Sequence, residues 1–301
     1  MSPSPVPVGV IGLGDIARKA YLPVLCALPG LVPHLMTRSR DTVDRIGDAY
    51  RVPDRHTTLD GLIEAGVRAA FVHAPTERHH GIVTRLLDAG VDVFVDKPLS
   101  YSLAESRELV ALARERGRCL AVGFNRRFAP AYVAALEHPR DLVLLQKDRR
   151  DDAGDVRTVV LDDFIHLVDT LRMLAPATAD DVRVRGSVVD GRLHHVVLDL
   201  DGPGFTGTAV MNRLGGTADE VLQTAGANSR REVVNLTRVV ENGVPQRTDD
   251  WASTGRRRGF EAMCEHFLDA VRSGRRLDAG DALATHELCE RIIAELSEGT
   301  A

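Results

Sequence analysis

The sequence predicts an α/β protein of two domains: an N-terminal doubly wound parallel sheet and a C-terminal α+β domain on an open, mainly antiparallel sheet. The first third of the chain alternates short β-rich runs with amphipathic helical stretches, which is typical of repeated β-α-β units. After Gly123 several strand-like runs follow one another, joined by Gly-rich turns, which favours antiparallel pairing. A chain of 301 residues can bury two cores. We therefore expect a first domain of residues 1–122 and a second of residues 123–301.

Five apolar runs bounded by Gly, Pro or Asp predict the strands of the first domain. Strands that are apolar on both faces suit a parallel sheet covered by helices. The predicted strands are Val8–Ile11, Leu31–Met36, Ala69–His73, Val91–Val95 and Leu120–Val122. The intervening segments have helical spacing, at Ile16–Leu28, Asp41–Tyr50, Leu59–Ala65, Glu77–Ala89 and Leu103–Arg116.

The second domain mixes helices with a succession of strands. The predicted helices are Ala129–Leu136, Val156–Leu174, Gly259–Ser273 and Asp281–Ser297. The predicted strands are Asp141–Lys147, Val182–Val189, Leu193–Leu200, Phe205–Met211, Glu220–Ala225 and Glu232–Val240. The charged run Lys147–Asp152 is interpreted as a solvated loop or as a charged rim of the active cleft.

Composition excludes several classes of protein. A net charge of −5 gives no general reason to bind nucleic acid or anionic membranes, and no apolar run approaches the ~20 residues that span a bilayer. The start, Met1–Pro7, lacks the basic and apolar regions of a secretion signal and is expected to be a short disordered lead-in. The cysteines Cys26, Cys119, Cys264 and Cys289 lack metal-binding spacing, so we expect free thiols, no metal site and a cytoplasmic location.

The first turn of the predicted sheet has the form G-x-G-x-x-A. Gly12 allows a tight turn, Gly14 lets the backbone approach a pyrophosphate, and the small Ala17 lets the next helix pack on the strand. The helix N-terminus at Asp15 and Ile16 stabilises phosphate charge. Placed between a strand and a helix at the start of a β-α-β series, this turn predicts a dinucleotide-binding Rossmann domain.

The end of the second strand indicates which dinucleotide is bound. An NAD enzyme usually carries Asp or Glu there for the ribose 2′-hydroxyl. This chain has Thr37, Arg38 and Ser39, with no carboxylate before Asp41. Hydroxyls and guanidiniums suit a 2′-phosphate, so we expect NADP (NADPH), with NAD the less favoured cofactor. The alternative is a solvated basic turn that tolerates NAD.

Lysine is scarce in this chain, and one lysine follows the fifth predicted strand. Only three of the 38 basic residues are lysines, at Lys19, Lys97 and Lys147. At the carboxyl end of a Rossmann strand, Lys97 would lie where the nicotinamide is expected and could hydrogen-bond a substrate oxygen. The alternative interpretation is a surface lysine before a helix.

The long helix of the second domain carries a candidate proton-transfer pair. In an α-helix Asp162 and His166 share one face, and Asp169 lies near the same stripe. A histidine beside a carboxylate suits proton transfer near neutral pH. The alternatives are a histidine satisfied by a helical neighbour, or a metal site, for which no further ligand set has persuasive spacing.

Together these motifs resemble the Gfo/Idh/MocA oxidoreductases. The family's G-x-G-x-x-A, E-K-P and D-x-x-x-H elements have counterparts in the first turn, in Asp96-Lys97-Pro98 and in Asp162 with His166. The segment Ala74–His79 is similar to the family's P-x-x-x-H segment beside the cofactor, which points to Ala74, Pro75 and His79 rather than His80. Runs around Val95–Leu99 and Val122–Pro130 are similar to the MviM-like branch.

The resemblance implies hydride transfer between nicotinamide and a secondary alcohol or ketone of a sugar-like or cyclic polyol substrate. His166 would be the general acid/base, and Lys97 would polarise the substrate oxygen. Asp162 would orient His166 or bind a neighbouring hydroxyl of the substrate. Asn125 and Arg126 are candidate substrate contacts. Asp96 replaces the family's usual Glu, and Asp163 leaves open which carboxylate serves His166.

Two other functions are compatible with the same motifs. One is an imine (C=N) reductase of the same fold, and the other is a catalytically silent NADP-binding regulator. The presence of both Lys97 and His166 argues against the regulator. The expected partners are a small-molecule substrate and a second copy of the chain, in a homodimer or homotetramer formed through the C-terminal sheet, with no nucleic acid or membrane.

Overall fold

The computed structural model describes residues 5–247, 249 and 251–298, so residues 1–4 of the expected lead-in lie outside the described residues. The chain forms two compact units. The first contains the described residues up to Gly123 together with Phe260–Leu283, and the second contains Phe124–Gly259 and the described residues from Ala284. No described helix is both long enough and apolar enough to cross a membrane.

Six strands and five α-helices form in the described residues up to Gly123. The strands are β1 Val6–Ile11, β2 Leu31–Met36, β3 Arg55–His56, β4 Ala69–Val72, β5 Asp92–Val95 and β6 Leu120–Val122. The helices are α1 Leu22–Leu25, α2 Arg40–Tyr50, α3 Leu59–Glu64, α4 His79–Asp88 and α5 Leu103–Arg116. A π-helical turn at Ala17–Tyr21 precedes α1, and a 3₁₀ turn at Thr76–Arg78 precedes α4.

The rest of the chain adds nine strands and six α-helices among the described residues. The strands are β7 Leu142–Asp148, β8 Gly154–Asp155, β9 Asp181–Val189, β10 Arg192–Gly202, β11 Phe205–Asn212, β12 Glu220–Gly226, β13 Ser229–Val234, β14 Arg238–Glu241 and β15 Val244–Pro245. The helices are α6 Pro130–Val133, α7 Val156–Val159, α8 Ile165–Leu174, α9 Thr254–Arg257, α10 Phe260–Ser273 and α11 Gly280–Glu298. A π-helical turn, Val160–Phe164, joins α7 to α8.

The first unit is a doubly wound Rossmann sheet, as the sequence predicts. Its six strands pair in parallel in the order β3-β2-β1-β4-β5-β6. The strand order reverses beside β1, so ligands are expected at the carboxyl ends of β1 and β4. Helix α10 packs on this sheet, where the Phe267 ring makes edge contacts with Phe71 and Phe94.

The second unit is built on a nine-stranded mixed sheet in which most pairs are antiparallel, which confirms the predicted class. Its order is β15-β14-β13-β12-β7-β11-β10-β8, with β9 also paired to β10. Only the β7–β11 pair is parallel. Helix α8 lies on β7 and β11, where the Leu171 side chain leaves no room for a Cβ at Gly207.

Several predicted elements differ from the structure. The helix expected at Ile16–Leu28 forms as a π turn followed by the short α1, and the helix expected at Ala129–Leu136 forms as α6 followed by a 3₁₀ turn. The single strand expected at Glu232–Val240 is two strands, β13 and β14, because Asn235 and Leu236 turn the chain with φ of 52° and 64°. Asparagine tolerates a left-handed backbone, so Asn235 is a signal for a turn, but the apolar residues on either side of it indicated one continuous strand. The expected helix Val156–Leu174 forms, but the π turn interrupts its α-helical register.

Candidate active site

The G-x-G-x-x-A turn lies at the carboxyl end of β1, against the end of β4. Gly12 has a φ of +85°, and a Cβ there would lie 2.6 Å from the carbonyl carbon and oxygen of His73. Gly14 has open space where its Cβ would be, and Ala17 is fully buried. The close approach at Gly12 and the burial of Ala17 require small residues there, and the pyrophosphate contact expected at Gly14 stays a prediction.

A cavity of about 590 Å³ opens beside this turn. Gly12, Thr37, Arg38, Ala74 and Pro75 line it, all of them predicted cofactor contacts. Residues that sequence reasoning missed also line it, and they are Ile11, Met36, Thr57, Thr58, Leu59, Glu77, Arg78, Gly81, Ile82 and Arg85. Ile11 and Met36 are the last residues of β1 and β2, and the others come from the segment after β3 and from the 3₁₀ turn and α4 that follow β4. Apart from Glu77 and Arg78, which lie within the Ala74–His79 segment, they belong to no motif, so only the fold reveals them.

Three residues of the segment after β2, Arg38, Ser39 and Arg40, have different environments. Arg38 is exposed and lines the cavity. The Ser39 hydroxyl caps α2 by accepting a hydrogen bond from the Thr42 N–H at 3.2 Å. Arg40 lies 3.8 Å from Asp44 and does not line the cavity. Arg38 is therefore the guanidinium that this segment presents to a ligand in the cavity.

Asp15 and Ile16 form the first turn of the helix that follows the glycines. The Asp15 carboxylate lies 2.6 Å from the Lys19 ammonium, and the hydrogen bond from Lys19 lowers the pKa of Asp15. Both side chains are exposed. Their expected contribution to a pyrophosphate site is the backbone N–H groups of a helix N-terminus.

His79 joins two loops of the same edge. Its Nε2 lies 2.9 Å from the Ala74 carbonyl oxygen and its Nδ1 lies 2.9 Å from the Pro98 carbonyl oxygen. The ring is buried, and burial lowers the pKa of His79. His79 therefore connects the cavity wall to the Asp96-Lys97-Pro98 segment, whereas His80 contacts Glu108 on α5.

Asp96 holds the backbone of Lys97. Its Oδ1 accepts a hydrogen bond from the Lys97 N–H at 3.0 Å and lies 3.5 Å from the Tyr21 hydroxyl, while its Oδ2 lies 3.6 Å from His73 Nδ1. Tyr21 is buried, and burial with the nearby Asp96 raises its pKa well above the ordinary value. The shorter carboxylate at position 96 thus reaches the backbone of Lys97, and its effect on the Lys97 side chain stays a prediction. No motif pointed to the supporting residues Tyr21 and His73.

In the second unit, Asp162 and Asp163 lie in the π turn, and His166 lies in the first turn of α8. In a π turn the backbone hydrogen bonds join residues i and i+5. Asp162 and His166, four residues apart, therefore do not lie one turn apart as they would in an α-helix. Asp169, expected near the same stripe, is buried and accepts hydrogen bonds from Arg127 at 2.8–3.0 Å and from Thr285 at 3.1 Å. Asp169 therefore stabilises the packing of its helix.

Asp163 is the centre of an ion cluster. It lies 2.5 Å from Lys147 Nζ, accepts two hydrogen bonds from Arg149 at 2.9 and 3.0 Å, and accepts one from Arg213 at 2.7 Å. The expected rim or solvated loop at Lys147–Asp152 is therefore wrong for Lys147, which is 3% exposed. Strand alternation was the missed signal, because Lys147 follows Val143 and Leu145 on the buried side of β7.

Asn125 and Arg126 lie in the interior of the second unit. The Arg126 guanidinium donates two hydrogen bonds to Glu220, at 2.8 and 2.6 Å, and Tyr132 donates one at 3.0 Å. Asn125 Nδ2 donates to the Arg258 carbonyl oxygen at 2.8 Å. These contacts show what the two side chains hold in place, and their role in substrate binding stays a prediction.

Burial and neighbouring charge set the protonation of this cluster. Burial and the nearby Arg126 lower the pKa of Lys147 to about 8. Burial alone would raise the pKa of Glu220, but Arg126 and Lys147 lower it to about 2. Burial likewise opposes ionisation of Asp163, whose pKa Lys147 and Arg149 nevertheless hold below the usual range. Of the groups discussed in this cluster, Lys147 is therefore the one whose pKa is nearest to neutral pH.

The comparisons with known proteins agree with the fold. Residues 6–124 match an oxidoreductase family described as having an NAD-binding Rossmann fold. A Salmonella typhimurium protein named as the oxidoreductase YceM is 33% identical over 280 residues, covering 88% of this chain and 89% of that protein. A Vibrio cholerae Gfo/Idh/MocA family oxidoreductase has a structure with a TM-score of 0.92 at 30% identity, covering 98% of this chain and 99% of that one. The chain belongs to the Gfo/Idh/MocA family of oxidoreductases.

A third relative has a named sugar substrate. The dTDP-3,4-didehydro-2,6-dideoxy-alpha-D-glucose 3-reductase of Streptomyces violaceoruber is 30% identical over 188 residues, covering 62% of this chain and 49% of that enzyme.

Among the described residues, no group of histidine, cysteine and acidic side chains could hold a metal ion.

We predict that Lys147 loses its proton near pH 8, because it is buried beside Arg126. The chain has only three lysines, so a variant with both Lys19→Arg and Lys97→Arg leaves Lys147 alone in a lysine ¹³Cε NMR spectrum. In the unfolded chain a lysine has a pKa of about 10.4, so between pH 8 and that value the unfolded state binds more protons than the folded state. The free energy of unfolding should therefore rise with pH over this range. A resonance that titrates only near pH ~10.4 would contradict the prediction.

Proposed function

We propose that this protein transfers hydride between NADPH or NADP and a secondary alcohol or ketone of a small sugar-like or cyclic polyol substrate. The proposal rests on one edge of the first sheet, where the glycine turn follows β1, Arg38 lies in the cavity after β2, and Lys97 follows β5. His79 ties the cavity wall to the Lys97 segment. The sugar reductase among its relatives supports the substrate class.

The preference for NADP rests on the charges around the cavity. Arg38 and Arg78 both line it, and the loop after β2 contributes no carboxylate to its lining. Arg85 also lines it but is paired with Asp60. A guanidinium with the neighbouring Thr37 hydroxyl offers the donors that a 2′-phosphate accepts, whereas the ribose of NAD usually meets an acidic side chain.

Each proposed site residue has one task. When bound, the nicotinamide supplies or accepts the hydride. Lys97, held by Asp96, donates a hydrogen bond to the substrate oxygen and stabilises developing negative charge. His166 gives or takes the proton of that oxygen. We assign its carboxylate partner to Asp162, because four donors already occupy the oxygens of Asp163.

We further propose that the two units act as cofactor domain and substrate domain of a cytoplasmic homo-oligomer. All four cysteines are free, which suits a reducing compartment. On β7, Leu142 and Leu144 are each 40% exposed and alternate with buried residues. This apolar strip on the sheet of the second unit suits contact with a second copy of the chain.

Arg38→Ala should weaken NADPH binding by about 1–3 kcal/mol, because a charged hydrogen bond to the 2′-phosphate is lost. NADH binding should hardly change. Titration of nicotinamide fluorescence measures both affinities. Arg40→Ala is the matched control, since Arg40 is adjacent but does not line the cavity. An unmodified protein that binds NADH as tightly as NADPH would overturn the cofactor assignment.

Once a substrate of the unmodified protein is identified, we expect His166→Ala to slow the chemical step by about 10²–10⁴-fold while leaving the affinity for NADPH nearly unchanged. Lys97→Arg should slow turnover by at least about tenfold, because the wider guanidinium cannot lose a proton and displaces the substrate. Lys19→Arg, on an exposed helix surface, is the control. Near-normal rates for Lys97→Ala and His166→Ala in single-turnover measurements would remove both residues from the mechanism.

A further inference from the structure

The second unit contains a cavity that the proposed hydride transfer does not use. Its volume is about 380 Å³, and its lining residues are Ala218, Asn235, Thr237, Thr254, Arg257 and Arg258. Two guanidiniums, two hydroxyls and an amide thus line the cavity, and none of the six residues is acidic. Such a set of donors is complementary to an anion.

The two arginines are not engaged elsewhere by the part of the chain that the structure describes. Within residues 5–247, 249 and 251–298, neither guanidinium forms an ion pair or a side-chain hydrogen bond. Arg257 Nε is moreover buried from solvent without a hydrogen-bond partner there. By contrast, Arg126, Arg149 and Arg213 of the same unit are each paired with a carboxylate. A buried guanidinium N–H is costly without an acceptor, and a ligand anion would supply one.

The backbone that carries these arginines is fixed before any ligand arrives. Asn125 Nδ2 donates to the Arg258 carbonyl oxygen at 2.8 Å. Gly259 has a φ of +84°, and a Cβ there would lie 2.3 Å from the Asn125 carbonyl oxygen. The Ser253 hydroxyl caps α9 by accepting a hydrogen bond from the Arg256 N–H at 3.0 Å. A fixed wall lowers the entropic cost of binding.

The opposite wall is also held in place. Asn235 accepts a hydrogen bond from the Glu220 N–H at 3.0 Å and donates one to Asp219 at 3.1 Å. Asp219 is the carboxylate that contacts this wall, and it does not line the cavity. The negative charge of Asp219 repels an anion, but the lining carries two positively charged guanidiniums against this one carboxylate.

We propose that this cavity binds the phosphate group of a small phosphorylated metabolite. Guanidiniums donate paired hydrogen bonds that match phosphate oxygens, and the threonine hydroxyls add neutral donors. The volume of about 380 Å³ lies within the roughly 300–1,000 Å³ range of small-molecule sites, so a sugar ring attached to the phosphate also fits. The site is separate from the cofactor cavity, which lies in the first unit.

The test is calorimetric titration of the full chain with glucose 1-phosphate, after saturation with the nicotinamide cofactor that binds more tightly. Saturation fills the cofactor's own phosphate sites. Glucose 1-phosphate should bind, inorganic phosphate should compete with it, and glucose alone should not bind. Arg257→Gln and Arg258→Gln should each weaken binding by about tenfold or more, because each removes a charge-assisted hydrogen bond.

Arg256→Gln is the matched control, because Arg256 is adjacent in sequence but does not line the cavity. It should change the affinity by less than about twofold. Cofactor affinity, measured separately, should be unaffected in all three variants, so failure of the phosphate site and failure of the proposed cofactor site are distinguishable. Thermal melting checks folding, and Arg258, which is exposed, gives a variant that should fold normally.

Three results would overturn the proposal. The first is that no phosphate compound binds the cofactor-saturated protein. The second is that Arg256→Gln weakens binding as much as Arg257→Gln and Arg258→Gln do. The third is that folded Arg257→Gln and Arg258→Gln proteins both bind as tightly as the unmodified chain.

Discussion

The close approach of Gly12 to the end of β4 is the constraint on which the cofactor side of the molecule depends. Backbone hydrogen bonds join the strand ends, from Gly12 N–H to the Met36 carbonyl and from His73 N–H to the Ile11 carbonyl. A Cβ at position 12 would separate these strands. Because parallel strands present their carboxyl ends at one edge, the glycine turn, Arg38, Ala74 and the Lys97 segment are brought to that edge together.

Paired burial of charge organises the second unit in a comparable way. Arg126, Lys147, Asp163 and Glu220 would each be costly to bury alone, but together they satisfy one another across β7, β12 and the π turn. The cluster occupies Asp163 and leaves Asp162, its neighbour in the chain, as the carboxylate proposed to serve His166. The same network makes Lys147 the group that responds to pH near 8.

The sequence predicted the features that depend on local pattern. Leu31–Met36 and Leu103–Arg116 form with the predicted bounds, because apolar periodicity and the Ser102 cap specify them locally. The division of Glu232–Val240 and the burial of Lys147 were missed although Asn235 and the alternation of β7 are local signals, because the surrounding apolar and charged runs outweighed them. The ion pairs that make the burial of Lys147 possible depend on tertiary neighbours. For the same reason, Tyr21 and His73 around Asp96 had no signal in the motif.

A crystal structure of the protein with NADPH would locate the cofactor relative to Arg38, Lys97 and His166. We expect the pyrophosphate against the backbone of Gly12–Ile16, the 2′-phosphate on Arg38, and the nicotinamide C4 within reach of a substrate atom bound by Lys97 and His166. A cofactor whose 2′-phosphate lies away from Arg38, or whose nicotinamide is remote from both Lys97 and His166, would contradict this expectation.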